Sequence, residues 1–264
     1  MFAVIVPYRN RRRFVDLFLQ TIPVYLHESG HINYHIFVAE QVGSGPFALA
    51  TSRNVGARAA QDHGQYDYYV FHDVDILPVR NIDYGPPALS TVWFMNAGSA
   101  KLPSSIFHAV NGYNNSFIGW GFEDTEFWHR LHIFGHPTQE WHKTHEAKQA
   151  EMLNLECQLE SEEELMRFSQ HYFGFAEDVG PRFVQNSLCS PESPGFDKTQ
   201  DFYIETLVTR NKRLLDWIRK LPTAIAQEYF LLHGINAINP ATMSLLYRTE
   251  KVSWVQYNRS DVLT

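Results

Sequence analysis

Asp73-Val74-Asp75 follows the apolar run Tyr68-Tyr69-Val70-Phe71. Two carboxylates one residue apart can hold a divalent cation and, through it, a diphosphate, because hard oxygen ligands suit hard cations. An exposed turn after a strand would carry the same pair. Gly119-Trp120-Gly121-Phe122-Glu123-Asp124 sets an aromatic ring between two glycines, then two acids at the start of a helical segment. Such a loop can present the Trp120 face to a ligand, and a carboxylate beside it can take a proton from an attacking hydroxyl. The same acids would also suit an ordinary helix start, where the dipole favours negative charge. His142 and His145 offer imidazoles that can complete the shell of Mn2+. His129 and His132 repeat that spacing within a helical segment, where packing or surface roles are expected. Arg9 and Arg11, just past the first apolar run, can fork onto phosphates or a uracil edge.

The elements that must position these groups follow from hydrophobic periodicity. Residues 2–7 form a continuous apolar run and read as a buried strand. Phe14, Leu17, Phe18 and Tyr25 recur at helical spacing between Arg11 and His27, with Pro23 expected to kink or end that helix. Tyr34–Ala39 and Tyr66–His72 read as further strands, and Ser52–His63 as a helix rich in alanine. Alternation of strand and helix predicts a parallel sheet covered by helices. Ligands bind such sheets at the carboxyl ends of the strands, where both Pro7-Tyr8-Arg9-Asn10-Arg11 and Asp73-Val74-Asp75 fall.

Further along, a strand is expected at Trp93–Met95, helices at Ser104–Val110 and Glu123–Phe134, and a strand at 138–142. Beyond Lys148 the composition shifts. Glu151–Arg167 reads as acidic and helical, Thr199–Lys220 and Thr223–Leu232 as helices, and Val252–Tyr257 as an edge strand.

Composition sets outer bounds. A chain of 264 residues with 44% hydrophobic and 19% charged residues can bury a substantial core. Lys and Arg number 22 against 29 Asp and Glu, a net charge of −7, so no basic stripe for nucleic acid is expected. Cys157 and Cys189 lie far apart and form no CxxC pair, which fits a reducing compartment. No stretch approaches the roughly 18 apolar residues of a membrane span. The expectation is a cytoplasmic protein, peripheral to the membrane where a lipid-linked or surface glycan is built.

Taken in order, these pieces resemble the β-1,4-galactosyltransferase family of inverting GT-A enzymes. The resemblance covers about residues 2–147. It runs through Val6-Pro7-Tyr8-Arg9-Asn10-Arg11, Asn54-Val55-Gly56, Phe71-His72-Asp73-Val74-Asp75, Asn111-Gly112-Tyr113, Gly119-Trp120-Gly121-Phe122-Glu123-Asp124 and His142-Lys143-Thr144-His145. It implies an α/β fold of GT-A type, a nucleotide-sugar-binding, Rossmann-like mixed sheet flanked by helices. Pro7, Arg9 and Arg11 would hold the nucleotide, Asp73 would touch the donor, and Asp75, His142 and His145 would ligate Mn2+ or another divalent cation. Trp120 would contact donor and acceptor. Asp124 would be the general base, with Glu123 beside it.

The sequence departs from the family pattern in three places. The stretch that carries an arginine near the nucleotide in the family reads Phe47-Ala48-Leu49-Ala50 here, with Arg53 further along the helix as the substitute to weigh. The third acid after Glu123-Asp124 is replaced by Thr125, followed by Glu126. Around the donor sugar, Phe94 and Asn96-Ala97 stand where the family has Tyr and a Gly-Gly pair. The run Gly119–Phe127 also resembles the GalNAc-transferring domains of chondroitin-type polymerases.

The sequence therefore leads to a catalytic core at 1–147 and a mostly helical extension at 148–264 packed on it. The expected activity is transfer of galactose from UDP-galactose to a glycan hydroxyl. UDP-GalNAc as donor, a non-catalytic glycan- or nucleotide-binding module, and a metallohydrolase built on Asp73, Asp75, His142 and His145 are the rival readings.

Overall fold

All seven residues of β1 (Phe2–Tyr8) are buried, a pattern that only a strand covered on both faces can satisfy. In the computed structural model, which describes residues 1–80, 82–96, 99–119, 121–140, 151–154 and 205–263, β1 lies inside an eight-stranded sheet. The remaining strands are β2 (Tyr34–Val42), β3 (Tyr68–His72), β4 (Ile76–Arg80), β5 (Val92–Asn96), β6 (Ser99–Pro103), β7 (Thr138–Glu140), β8 (Glu151–Asn154), β9 (Ser244–Arg248) and β10 (Val252–Asn258). The large sheet has the order β7-β5-β6-β3-β1-β2-β10-β9, and β4 pairs with β8 apart from it. Strands β1, β2, β3 and β10 run parallel, with Phe2 opposite both Tyr34 and Tyr68. Strands β6 and β9 pair antiparallel with β3 and β10, so the sheet is mixed.

Alternate residues of β1 face opposite layers, as the strand period requires. Val4 and Val6 pack with Phe14, Phe18 and Ile22 of α1 (Arg12–Glu28). Ala3 and Ile5 face α2 (Leu49–His63), together with residues of α3 (Ser104–Ala109) and α4 (Glu123–Ile133). Pro23 does not end α1; Tyr25 and Leu26 beyond it are buried in the same core, and their packing carries the helix to Glu28. Helix α2 is buried almost all round. A Cβ on its Gly56 would lie 2.4 Å from Ile5 Cγ2, so the helix can approach β1 this closely only with glycine at that position.

The C-terminal residues add to this same sheet. Helices α5 (Glu205–Ile218) and α6 (Thr223–Leu232) place Leu215, Ile218, Ala226 and Phe230 in the α2-side core. Strand β10 is not an edge strand as its alternation implied, since β9 covers it. A short α7 (Arg259–Val262) closes the chain. Glu151–Asn154 is a strand paired with β4 and not the start of a helix, its ladder to Ile76–Arg80 prevailing over local propensity; the rest of the acidic stretch to Arg167 lies outside the described residues. No described helix is long and apolar enough to cross a membrane.

Candidate active site

Because β1 and β3 are parallel neighbours, their carboxyl ends lie on one edge of the sheet. Arg9 and Arg11 leave β1 there, and Asp73 and Asp75 leave β3. Arg11 Nη1 donates to Asp75 Oδ2 at 2.9 Å, with both side chains largely covered. Arg9 donates to the carbonyls of Gly43 and Gly45, the latter through a short contact, and so shapes the loop between β2 and α2. Pro7 is buried within β1 itself.

His72 fixes the turn that carries the two aspartates. Its Nδ1–H donates to the Asp73 carbonyl at 3.0 Å, and its Nε2 accepts from Tyr84 Oη at 2.7 Å. The ring stacks on Tyr84, and burial pushes the imidazole down to about 4, so it stays neutral and keeps that tautomer.

Asp124 and Glu123 open α4 after Phe122, which takes a left-handed conformation (φ 73°). Both acids converge on Arg53 of α2. Arg53 Nη1 makes a short hydrogen bond to Asp124 Oδ1 and lies 3.8 Å from Glu123 Oε1, while Nη2 donates to Asp73 Oδ1 at 3.2 Å. The guanidinium rests 4.8 Å from the Tyr113 ring centre. Arg53 is only 1% exposed, whereas the Asp124 side chain is 34% exposed and that of Glu123 is 7% exposed. One cation thus joins the donor-side aspartate to the acid expected to act as base. The sequence offered Arg53 only as a substitute for the family's nucleotide arginine, not as the partner of these two acids. Its signal was an arginine in a small-residue helix, which must find carboxylates once that helix is buried.

Burial raises the Glu123 carboxyl to about 8, with the neighbouring Asp124 adding to the rise and Arg53 opposing it. Burial likewise raises Asp73, opposed by Arg53 and reinforced by Asp75 and Asp124. For Glu123 the folded-state value lies above that of the unfolded chain. Its stabilising contribution is then full below the ordinary glutamate range and is lost as pH rises towards 8. Glu123→Gln removes this dependence. In chelator, the melting temperature of the variant minus that of the wild type is expected to grow between about pH 5 and 8. A constant difference across that range would contradict the assignment.

A divalent cation fits the charge of this edge. Four carboxyl groups, Asp73, Asp75, Glu123 and Asp124, meet two guanidinium groups, Arg11 and Arg53, and the raised Asp73 and Glu123 are the groups a bound cation would help to ionise. The oxygen ligands suit Mn2+. Among the described residues no group of three or more metal-ligating side chains comes together. His142 and His145 lie outside the described residues, as does Trp120. Phe94 and Asn96 end β5, with a register shift against β6 between them.

Glu126 is not a further acid of the site. It is fully buried and pairs with Arg130 of the same helix at 2.9 Å. The loop before α4 is held from the C-terminal segment, a second feature the sequence did not reveal. Asn211 of α5 donates to the carbonyls of Ile118 and Gly121, which flank Trp120, at 2.9 and 3.2 Å.

The fold is that of a GT-A galactosyltransferase catalytic domain. The catalytic domain of Drosophila β-1,4-galactosyltransferase 7, solved with xylobiose, superposes over 97% of this chain and 92% of that one, with a TM-score of 0.60 at 20% identity. A point mutant of the same enzyme, solved with manganese, UDP-Gal and xylobiose, matches equally well. Residues 1–84 match the N-terminal region of glycosyl transferase group 7, and residues 94–154 match the N-terminal domain of galactosyltransferase. The chain belongs to this β-1,4-galactosyltransferase family. It is 31% identical over 150 residues to human β-1,4-galactosyltransferase 6, a stretch covering 51% of this chain and 39% of that protein. It is 33% identical over 148 residues to Drosophila melanogaster β-1,4-galactosyltransferase 7, covering 50% of this chain and 45% of the relative. The match spans less than half the length of either curated relative.

Proposed function

We propose that the chain is an inverting, divalent-cation-dependent glycosyltransferase that moves galactose from UDP-galactose to a hydroxyl of a glycan acceptor. The observation that carries this reading is the convergence of Asp73 and Asp124 on Arg53, which sets a donor-side carboxylate and a solvent-reachable base side by side. The UDP-Gal, manganese and xylobiose bound to the Drosophila enzyme of the same fold support the donor, the cation and a sugar acceptor.

In this reading Asp75, with His142 and His145, holds the cation, which when bound offsets the charge of the departing diphosphate. Arg11, paired with Asp75, stands at the same point for contact with the nucleotide phosphates. Asp73 orients the donor. Asp124 takes the acceptor proton as the hydroxyl attacks the anomeric carbon in line, and a single base suffices for one displacement. Glu123, buried and raised, stays protonated at neutral pH and is not that base. A cytoplasmic place of action with a lipid-linked or surface glycan as acceptor belongs to the same proposal; it rests on the two widely separated cysteines.

UDP release from a panel of UDP-sugars, with Mn2+ and with or without sugar acceptors, tests the proposal. Release that requires acceptor, prefers UDP-galactose and stops with chelator is expected. Release without acceptor would indicate the metallohydrolase. UDP binding without any release would indicate a binding module.

Donor choice follows from the end of β5. Phe94→Tyr or Asn96→Gly is expected to change the ratio of kcat/KM for UDP-galactose and UDP-GalNAc by about tenfold, the scale of one altered pocket contact. An unchanged ratio in both variants would remove this patch from donor selection.

A further inference from the structure

We infer that Arg53 is a positioning residue of the transfer reaction, fixing the base Asp124 relative to the donor carboxylate Asp73 through one guanidinium fork. The inference rests on the transferase reading and adds a residue that the resemblance does not supply. Arg53 was weighed as a replacement for the missing nucleotide arginine. Its contacts place it elsewhere, since Nη1 goes to Asp124 and Nη2 to Asp73.

Three structural elements meet at this side chain. It comes from α2, which glycine and alanine hold tightly against the sheet. It reaches Asp73 at the end of β3 and Asp124 at the start of α4. A fully buried arginine is retained only where carboxylates compensate it, and here those carboxylates are the reacting edge of the molecule. Its Nε–H finds no acceptor among the described residues, so the side chain is not placed to satisfy itself best. The placement instead commits the two Nη groups to the two aspartates. Arg53 engages Oδ1 of Asp124, and the partly exposed remainder of that carboxylate is open to an acceptor hydroxyl.

The fork sets the distance between donor and base, a quantity to which transfer rates are sensitive because a displacement of 1 Å can lower turnover about a hundredfold. The charged and titratable groups that face Asp124 are Arg53 from α2, Asp73 from β3, Glu123 from its own helix, and Tyr113 beneath the guanidinium.

Arg53→Lys is the informative variant, because it keeps the charge while a single ammonium cannot reproduce the fork. The full chain would be assayed with UDP-galactose, Mn2+ and acceptor beside the wild type, with melting temperature and UDP–Mn2+ affinity measured on the same samples. Arg53→Met, which also removes the charge, completes the set. The expected result for Arg53→Lys is a folded protein with UDP affinity within about threefold of wild type and kcat lower by about tenfold to a hundredfold. In Arg53→Met, which keeps neither the charge nor the fork, kcat should fall further than in Arg53→Lys. Activity losses that only follow the folded fraction or UDP affinity, with kcat per folded molecule unchanged in Arg53→Lys, would show a structural brace and overturn the inference. Absence of turnover in the wild type with every donor and acceptor would overturn the transferase reading and this inference together.

Discussion

Asp124→Asn is expected to lower kcat by about 10²–10⁴-fold, the usual share of general base catalysis, while UDP and Mn2+ still bind. The amide cannot take the acceptor proton, yet its oxygen can still accept from Arg53 Nη1, so the local geometry should hold. Glu123→Gln is the matching control. Its carboxyl is buried, 3.8 Å from Arg53 Nη1, and raised to about 8, so turnover near neutral pH should change by less than about tenfold. Steady-state kinetics of both variants, with UDP affinity by calorimetry, separate the roles. Loss of turnover in Glu123→Gln with retention in Asp124→Asn would reverse the assignment. Retention in both would leave the two acids as the start of α4 and nothing more.

Arg130→Met is expected to destabilise the protein by about 3–5 kcal/mol, because it strands the fully buried Glu126 without its cation. Arg130 also donates to the carbonyls of Val110 and Gly112 at 3.2 and 2.8 Å and lies 4.5 Å from the Phe230 ring centre. It therefore joins α4, the turn after α3 and α6 at once. In thermal melts the loss corresponds to a fall of about 10 °C for a chain of this size. Adding Glu126→Gln should recover much of the loss, since the stranded charge is then gone. A single-variant shift below about 1 kcal/mol would show that water or another group satisfies Glu126.

The parts of the fold that were legible in sequence are those whose local pattern agrees with their burial. β1 is an unbroken apolar run, and α1 carries a stripe at helical spacing, so both could be read directly. β6 could not. Its Lys101 looks like a surface residue, but it is buried and donates to Asp83 Oδ2 at 2.7 Å and to two carbonyls of the same loop. β9 is exposed at every residue and shows no alternation, so β10 looked like an edge. Of the candidate site, the positions of Asp73, Asp75, Glu123 and Asp124 were legible because strand ends and helix starts mark themselves locally. Arg53 reaches Asp124 across 71 residues of sequence and Asn211 reaches Ile118 across 93, through pairings that exist only once the sheet and its helices are assembled.

Inversion at the anomeric carbon is required if one base on one face of the donor drives a single displacement, so the configuration of the product is the measurement to make. The wild-type chain would be incubated with UDP-galactose, Mn2+ and a sugar acceptor, and the new anomeric proton observed by NMR. Since UDP-galactose is an α-glycoside, a β-linked galactoside formed in step with UDP is expected. An α-linked product, or free galactose in place of a disaccharide, would contradict it.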